Sequence, residues 1–261
     1  MNSTALFTQT SFPVMACILG LVLGSFGNVC IHRYLQGTSI VFPGSHCPLC
    51  EHKLAWWENI PLLSYVLLRG RCRQCQAAIH WRYPLVEALS GLWAVALALK
   101  FGPDSAFIVY LLFGHILIVI SFIDLEIFIL PDIYTLPASA AALLAAVFFL
   151  DLTWSTSLIG ALAGSGAFLA IQKSYKWLKG REGLGTGDIK LMFLLGALLG
   201  WQALPLVVFM SAVSGLVVSL FYLTRAQAKG LQTAIPFGPF LSLGGMVYIL
   251  VGPQIWQWYL G

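Results

Sequence analysis

The stretch SAFIVYLLFGHILIVISFID, from Ser105 to Asp124, contains no formally charged residue before its last position. About 20 apolar residues are enough for a helix to cross the hydrocarbon core of a bilayer. From such runs we predict eight membrane spans, at residues 12–32, 83–101, 105–124, 131–150, 156–177, 189–200, 202–223 and 236–258. The sequence therefore predicts an all-α polytopic membrane protein, in which the sixth span is short.

The composition supports this class of protein and excludes a soluble globular enzyme. Of the 261 residues, 59% are hydrophobic and only 9% are charged, whereas soluble domains carry about 25% charged residues. All Lys and Arg residues except Lys100 fall in alternate loops or at the span ends that border them, and the positive-inside rule assigns that side to the cytoplasm. We therefore predict an N-terminus outside the membrane. The net charge of +4 then reflects topology, and nucleic-acid binding is not expected.

The loop 33–82, on the predicted cytoplasmic side, contains two C-x-x-C pairs that head a short internal repeat. The segments CPLCEHKLAW and CRQCQAAIHW share the pattern C-x-x-C-x-x-x-(L/I)-x-W. Two such pairs suit a tetrahedral zinc site, and a metal can hold a loop that is too small for a large hydrophobic core. We therefore predict a structural zinc bound by Cys47, Cys50, Cys72 and Cys75. The alternative is redox chemistry at the thiols, which is uncommon in the cytosol.

Two aspartates in distant segments are predicted to lie at the same depth of the membrane. Asp124 ends the third span, and Asp188 opens the sixth. Ionisable groups in such places are costly and usually functional, and a carboxylate at the end of a helix also opposes the helix dipole. In one dry site, two carboxylates can share a proton, so that one accepts a proton from water and the other donates to a carbonyl oxygen. We therefore predict acid–base hydrolysis of a peptide bond.

Three further residues are expected to support this pair. Gly185 and Gly187 precede Asp188 in the stretch GLGTGDIK, and they leave the backbone open to an extended substrate. Asp132 starts the next predicted helix, where we expect its side chain to cap free backbone N–H groups. Lys190 is interpreted only as one more positive charge on the cytoplasmic side.

Taken in order, the motifs resemble those of the prepilin peptidase family, a branch of the GxGD intramembrane aspartyl proteases. The resemblance rests on GSFGNVCIHR, the paired C-x-x-C knuckles, ENIPLLSY, LRGRCRQC, RYPLVE, IDLEIFILPD and GLGTGDIKL. It implies a bifunctional enzyme of the bacterial inner membrane. Such an enzyme removes the basic leader of type IV prepilins or type II secretion pseudopilins after a glycine. It then methylates the new N-terminal residue, usually phenylalanine, with S-adenosylmethionine.

The same resemblance implies roles for individual residues. Asp124 and Asp188 are the expected catalytic aspartates, and the four cysteines are the expected zinc ligands. We expect S-adenosylmethionine to bind near the first loop, where Glu58, Asn59 and Arg71 are the candidates. An aromatic belt that anchors the loop at the lipid headgroups is the competing interpretation of the segment around Glu58. The implied division is a first helix at 1–32, a methyltransferase-associated zinc loop at 33–82 and an aspartyl peptidase domain at 83–261.

Two other functions fit some of these residues. A transporter would use Asp124 and Asp188 as a proton or cation site, with the zinc loop as a regulatory cap. Transporter sites lie near the membrane midplane, whereas these acids are predicted at one edge. A membrane thiol oxidoreductase would need the cysteines and would work without the two aspartates. Prepilins or pseudopilins, together with the lipid bilayer, are therefore the expected partners.

Overall fold

The computed structural model describes residues 3–42, 44–181, 183–225 and 235–260, and helices account for most of them. The helices are α1 (Ser3–Gln36), α2 (Leu63–Leu67), α3 (Arg82–Phe101), α4 (Ser105–Ile127), α5 (Asp132–Phe149), α6 (Trp154–Lys179), α7 (Thr186–Leu199), α8 (Leu204–Arg225) and α9 (Gly238–Leu260). Two short 3-10 helices lie at Trp56–Asn59 and Trp201–Ala203, and no β-strand occurs in the described ranges. The predicted all-α architecture is confirmed.

Seven of the helices in these ranges are long and apolar enough to cross a membrane, and they match seven of the predicted spans within a few residues. The predicted span at 189–200 corresponds to α7, which has only 14 residues. Its length is therefore about 21 Å, less than the hydrocarbon core of about 30 Å. Most of α7 is buried, because it packs against α5, α6 and α9. It is thus a short helix in the interior of a helical bundle.

The chain forms two compact units, Met1–Val119 and Ile120–Gly261. The first unit contains α1, the loop with the four paired cysteines, α3 and the first part of α4. The second unit contains the end of α4 and helices α5 to α9. The two aspartates singled out from the sequence therefore belong to the second unit, and the paired cysteines belong to the first.

In the first unit, α1 packs closely against α3 through small residues. A side chain on Gly20 would collide with the carbonyl oxygen of Ser90, and a Cβ on Gly24 would lie 2.7 Å from the Cα of Glu87. Asn28 continues this face and donates a hydrogen bond to a backbone carbonyl of α3. Small residues at intervals of four allow two helix backbones to approach closely. Gly20, Gly24 and Asn28 therefore form one packing face of α1.

In the second unit, α7 is held against α6 by a close approach of their backbones. Gly160 and Gly196 face each other so closely that a Cβ on either one would collide with the carbonyl oxygen of the other. The hydroxyl of Ser157 also donates to the carbonyl oxygen of Ala197 at 2.6 Å. These contacts fix α7 along its axis, and they thereby fix the position of Asp188 in its first turn.

Candidate active site and metal centre

Asp124 lies in the last turn of α4 and is only 5% exposed. The helix ends at Ile127, and the next residue, Phe128, has a left-handed φ of 57°. The N–H of Phe128 donates to the carbonyl oxygen of Asp124 at 2.9 Å, as a left-handed residue after a helix commonly does. The side chain of Asp124 accepts a hydrogen bond from the backbone N–H of Gly238, the first residue of α9. The carboxyl group is therefore held between two helices that are distant in sequence.

Asp188 is the third residue of α7 and is 7% exposed. Its carboxyl group accepts a hydrogen bond from the backbone N–H of Gly185, the N-cap residue of the helix, and this contact is one half of a capping box. A Cβ on Gly185 would lie 3.3 Å from the Oδ2 atom of Asp188. A Cβ on Gly187 would lie 2.8 Å from the Cβ of Leu130. Both glycines thus allow backbone to lie directly against the site.

The two aspartates converge although 63 residues lie between them in the sequence. Their carboxyl groups lie close enough to repel each other electrostatically, and both residues are buried. Two carboxyl groups in a desolvated site avoid double ionisation by keeping one proton between them. One group can then act as a base while the other acts as an acid. This arrangement suits the activation of water for hydrolysis.

Gly238 is a residue of this site that the sequence analysis did not identify. A Cβ at this position would lie 2.5 Å from Oδ2 of Asp124 and 3.1 Å from the side chain of Leu130. The only signal in the sequence is a Gly-Pro pair at the start of the last span, and similar pairs occur at Gly102 and Gly252. The importance of Gly238 therefore becomes apparent only when the fold brings α9 against the end of α4.

Asp132 does not cap α5, contrary to the prediction. Pro131 holds the N-cap position, and no side-chain cap hydrogen bond is formed there. Asp132 instead pairs with Lys190, because a lysine across the helix–helix contact offers a charged partner. The interpretation of Lys190 as only one more positive charge on the cytoplasmic side is therefore also wrong. Such partly exposed pairs contribute little to stability, but this one joins the first turn of α5 to the second turn of α7.

The four paired cysteines form a compact cluster in the first unit. Each offers one sulfur atom, and these atoms all lie within 4.8 Å of one another. The sulfur atoms of Cys47 and Cys75 are 3.8 Å apart, and those of Cys50 and Cys72 are 3.9 Å apart. A tetrahedral zinc site with Zn–S bonds of about 2.3 Å has sulfur atoms about 3.8 Å apart. The cluster therefore fits zinc in both donor type and spacing.

The two knuckles repeat the same backbone hydrogen bonds. The N–H of Glu51 donates to the carbonyl oxygen of Cys47 at 2.9 Å, and the N–H of Gln76 donates to that of Cys72 at 3.0 Å. Glu51 and Gln76 also share a left-handed conformation, with φ angles of 57° and 59°. The repeat in the sequence is therefore a repeated turn, which presents two thiols from each knuckle to one point.

The backbone of the knuckles favours the thiolates that a metal requires. The N–H of Cys75 donates to the sulfur of Cys72 and lowers its pKa. Burial raises the pKa of Cys47, but the N–H groups of its own knuckle outweigh burial and lower the pKa to about 7. At Cys50 the N–H of His52 lowers the pKa, but burial and the neighbouring thiols outweigh it and raise the pKa to about 12. Four crowded thiols therefore compete for ionisation, and a divalent cation removes that competition.

The three candidates for the methyl-donor site differ in their surroundings. Glu58 is buried, accepts a hydrogen bond from the N–H of Ala55 at 2.7 Å and contacts the ring of His52 at 3.2 Å. The Ala55 N–H lowers the pKa of Glu58, while the Oε1 atom of Glu58 is buried without a partner in the described part of the chain. Asn59 and Arg71 are exposed. Of the three, Glu58 alone offers a buried acceptor atom.

Two family models match the chain, one in each part. The Bacterial Peptidase A24 N-terminal domain matches residues 18–101, which include the cysteine knuckles. The Type IV leader peptidase family matches residues 111–220, which include both aspartates. No solved structure matches the chain.

Curated relatives match over nearly the whole chain. A protein of Aeromonas hydrophila is 39% identical, and the match covers 93% of this chain and 92% of the relative. A protein of Stutzerimonas stutzeri is 38% identical, and one of Pseudomonas aeruginosa is 37% identical. Each of these two matches covers 96% of this chain and 94% of the relative. All three relatives carry the name prepilin leader peptidase/N-methyltransferase.

Proposed function

The chain belongs to the type IV leader peptidase family, and on this premise we propose that it is a bifunctional prepilin-processing enzyme of the bacterial inner membrane. It removes the basic leader of type IV prepilins or type II secretion pseudopilins after a glycine. It then methylates the N-terminal residue that cleavage exposes. The observation that carries the peptidase activity is the convergence of two buried carboxyl groups from α4 and α7.

Asp124 and Asp188 act as base and acid on the scissile peptide bond. The ionised carboxylate takes a proton from a water molecule, whose oxygen attacks the carbonyl carbon, while the protonated carboxyl group donates to the carbonyl oxygen. The resulting gem-diol collapses: one hydroxyl returns its proton to the carboxylate that had donated it, the C–N bond breaks, and the departing amine receives the proton that the base had taken. The backbone N–H groups of Gly238 and Gly185 hold the two carboxyl groups in place for this exchange.

The backbone before α7 is suited to an extended substrate. Residues 183–185 are not helical, and Gly185 is exposed beside Asp188. A peptide unwound from its own helix can form main-chain hydrogen bonds with such an open segment. A prepilin places its scissile bond between a cytosolic leader and a hydrophobic helix. We therefore propose that the catalytic edge and the zinc loop face the cytoplasm and that the N-terminus lies outside.

We propose that three parts of the chain have different roles. Residues 1–32 lie in the first helix, residues 33–82 form the zinc loop that serves methyl transfer, and residues 83–261 contain the peptidase. Zinc would hold the two knuckles together through Cys47, Cys50, Cys72 and Cys75. S-adenosylmethionine supplies the methyl group when bound. Its hydrogen-bonding groups would meet Glu58, Asn59 and Arg71, and the free Oε1 atom of Glu58 supports this assignment.

Processing of a prepilin by the purified chain tests the proposed function. The protein in detergent is incubated with a tagged prepilin, with and without S-adenosylmethionine, and the products are identified by mass spectrometry. We expect loss of the leader in both samples and the mass gain of a methyl group only with S-adenosylmethionine. An intact substrate in both samples would contradict the peptidase activity. Cleavage without methylation would contradict the second activity alone.

Cys72→Ser is expected to reduce bound zinc, because serine is a poor zinc ligand and three thiolates leave the tetrahedron open. We expect methylation to fall with the zinc content, and some cleavage to remain because the aspartates belong to the other unit. Elemental analysis of the purified variant measures the metal. Cys17→Ser is the matched control, since Cys17 lies in α1 outside the cluster. A Cys72→Ser protein that retains the zinc content of the Cys17→Ser protein would rule out the four-cysteine site.

A further inference from the structure

A buried polar cluster in the first unit takes no part in the proposed cleavage reaction. It consists of Ser25 and Asn28 on α1 and Glu87 on α3, and it is called the Asn28–Glu87 cluster below. Asn28 is 2% exposed and Glu87 is 8% exposed. Polar and ionisable groups inside membrane helices are costly to bury and usually mark a site of function.

The packing of α1 against α3 places the two principal residues of the cluster at neighbouring levels. Gly24 faces Glu87, and one turn further along α1 the Nδ2 group of Asn28 donates to the carbonyl oxygen of Tyr83 at 2.9 Å. The two helices are therefore antiparallel at this level. Side chains lean toward the N-terminus of their own helix, so Asn28 leans toward the level of Glu87, and Glu87 leans toward the level of Asn28. Gly24 places no side chain between them.

The acceptor atoms of the cluster can accept more hydrogen bonds than the neighbouring donors supply. Oδ1 of Asn28 is buried and has no donor within the described part of the chain. Glu87 accepts a hydrogen bond from the N–H of Leu62 at 2.9 Å and one from the hydroxyl of Ser25. A carboxylate offers about four lone-pair positions, so further donors can bind to it. A buried amide oxygen without a donor is costly, so the site has a place for a donor-rich group.

We propose that the Asn28–Glu87 cluster binds a primary ammonium group, namely the α-amine that leader removal exposes on the substrate. This inference rests on the proposed methyltransferase function. An ammonium offers three N–H donors and a positive charge, which match an unfilled amide oxygen beside a carboxylate. Leu62, which contacts Glu87, follows Glu58 by only four positions. The cluster therefore borders the segment proposed to bind the methyl donor.

Glu87 acts as the base in this arrangement. An ammonium nitrogen has no lone pair, so it must lose a proton before it can accept a methyl group. Glu87 takes that proton from the nitrogen, and Oδ1 of Asn28 accepts a hydrogen bond from one of the N–H groups that remain. The nitrogen then carries the electron pair needed to form the new N–C bond, while the S–CH3 bond of the bound methyl donor would break and S-adenosylhomocysteine would leave. The proton leaves Glu87 to solvent after the reaction.

Glu87→Gln tests this inference, because glutamine keeps an oxygen that can accept from Leu62 and Ser25 but removes the charge. We expect cleavage close to wild type and methylation reduced about tenfold or more, the effect of losing a hydrogen bond to a charged group. Asn28→Ala is expected to act in the same direction. Asp104→Asn is the matched control, since Asp104 is an exposed acid of the same unit and asparagine also caps helices well. Unchanged methylation in Glu87→Gln would overturn the proposal.

Binding without a methyl donor separates this role from a structural one. The probes are a peptide that begins with phenylalanine, with a free or an acetylated N-terminus, and S-adenosylhomocysteine. The wild type is expected to prefer the free amine, and Glu87→Gln is expected to remove that preference without changing the melting temperature. Equal binding of both peptides by the wild type overturns the proposal. The proposal is also overturned if Glu87→Gln weakens only the binding of S-adenosylhomocysteine. The ammonium group that the cluster binds would then be that of the methyl donor.

The two proposals fail in different ways. A wild-type protein that cleaves the substrate without methylating it contradicts the proposed methyltransferase function, while the comparison of the two peptides still decides whether the cluster binds an amine. A preference for the free amine that disappears when phosphatidylethanolamine is added to the detergent also overturns the assignment, because the lipid headgroup would then be the occupant.

Discussion

Asp124→Asn and Asp188→Asn are each expected to lower the rate of leader cleavage by roughly 10²–10⁴-fold or more, the usual contribution of a general acid or base. Asparagine has nearly the same shape as aspartate and can still accept a hydrogen bond from Gly238 or Gly185. It cannot exchange a proton with water or with the substrate carbonyl. Initial rates of leader release from a tagged prepilin, followed by electrophoresis or mass spectrometry, measure the effect.

Asp151→Asn is the matched control for both substitutions. Asp151 is an exposed acid of the same unit, and asparagine tolerates its left-handed φ of 55°. We expect this variant to cleave like wild type. Both catalytic variants should still methylate a substrate that has already lost its leader, because the cluster and the zinc loop lie in the other unit. Cleavage that persists in either catalytic variant would falsify the aspartate pair.

A transporter with a proton-binding aspartate pair is not favoured. Such a protein would also need both carboxyl groups, but it would not cut a prepilin. The position of the pair argues in the same direction, since Asp124 lies in the last turn of α4 and Asp188 lies in the first turn of α7. Coupling ions in transporters bind near the middle of the membrane. The relatives of this chain are moreover named for peptidase and methyltransferase activities.

The helical architecture could be predicted from the sequence because its signal is local. In the membrane, the backbone N–H and C=O groups of an apolar run have to form hydrogen bonds within their own helix. Hydropathy alone therefore locates most spans. The knuckles could be predicted for a similar reason, since each is a turn closed by its own backbone hydrogen bonds. The shortness of α7 was visible in the length of its apolar run. Its burial among other helices was not, because that depends on the Gly160–Gly196 contact with α6.

The site was only partly predictable, because its contacts join distant segments. Charge topology placed Asp124 and Asp188 at one depth, which was enough to suggest a pair. The ion pair of Asp132 with Lys190 could not be inferred in this way. A first-turn aspartate fits a cap equally well in sequence, and the choice between a cap and an ion pair depends on which helix packs beside it. The contact of Gly238 with Asp124 depends on packing of the same kind.

Gly238→Ala is expected to lower the rate of cleavage by about 10²-fold, the order of effect reported for displacing a catalytic group by about 1 Å. A Cβ at position 238 would lie 2.5 Å from Oδ2 of Asp124, which is too close for nonbonded atoms. Gly238 has no left-handed φ, so alanine fits its backbone and the clash is the main perturbation. We therefore expect a reduced kcat with little change in KM, because contacts with the rest of the substrate remain.

Gly166→Ala distinguishes this local effect from a general intolerance of alanine. Gly166 lies in α6 of the same unit, and a Cβ there would meet no atom within 4 Å, so cleavage should remain at the wild-type rate. Alanine also favours the helix at this position, which should keep the melting temperature at or above that of wild type. If Gly238→Ala cleaves as fast as Gly166→Ala, the carboxyl group of Asp124 can move away from α9 without loss. The hydrogen bond from Gly238 would then be incidental to catalysis, and the orientation of Asp124 would have to come from α4 alone.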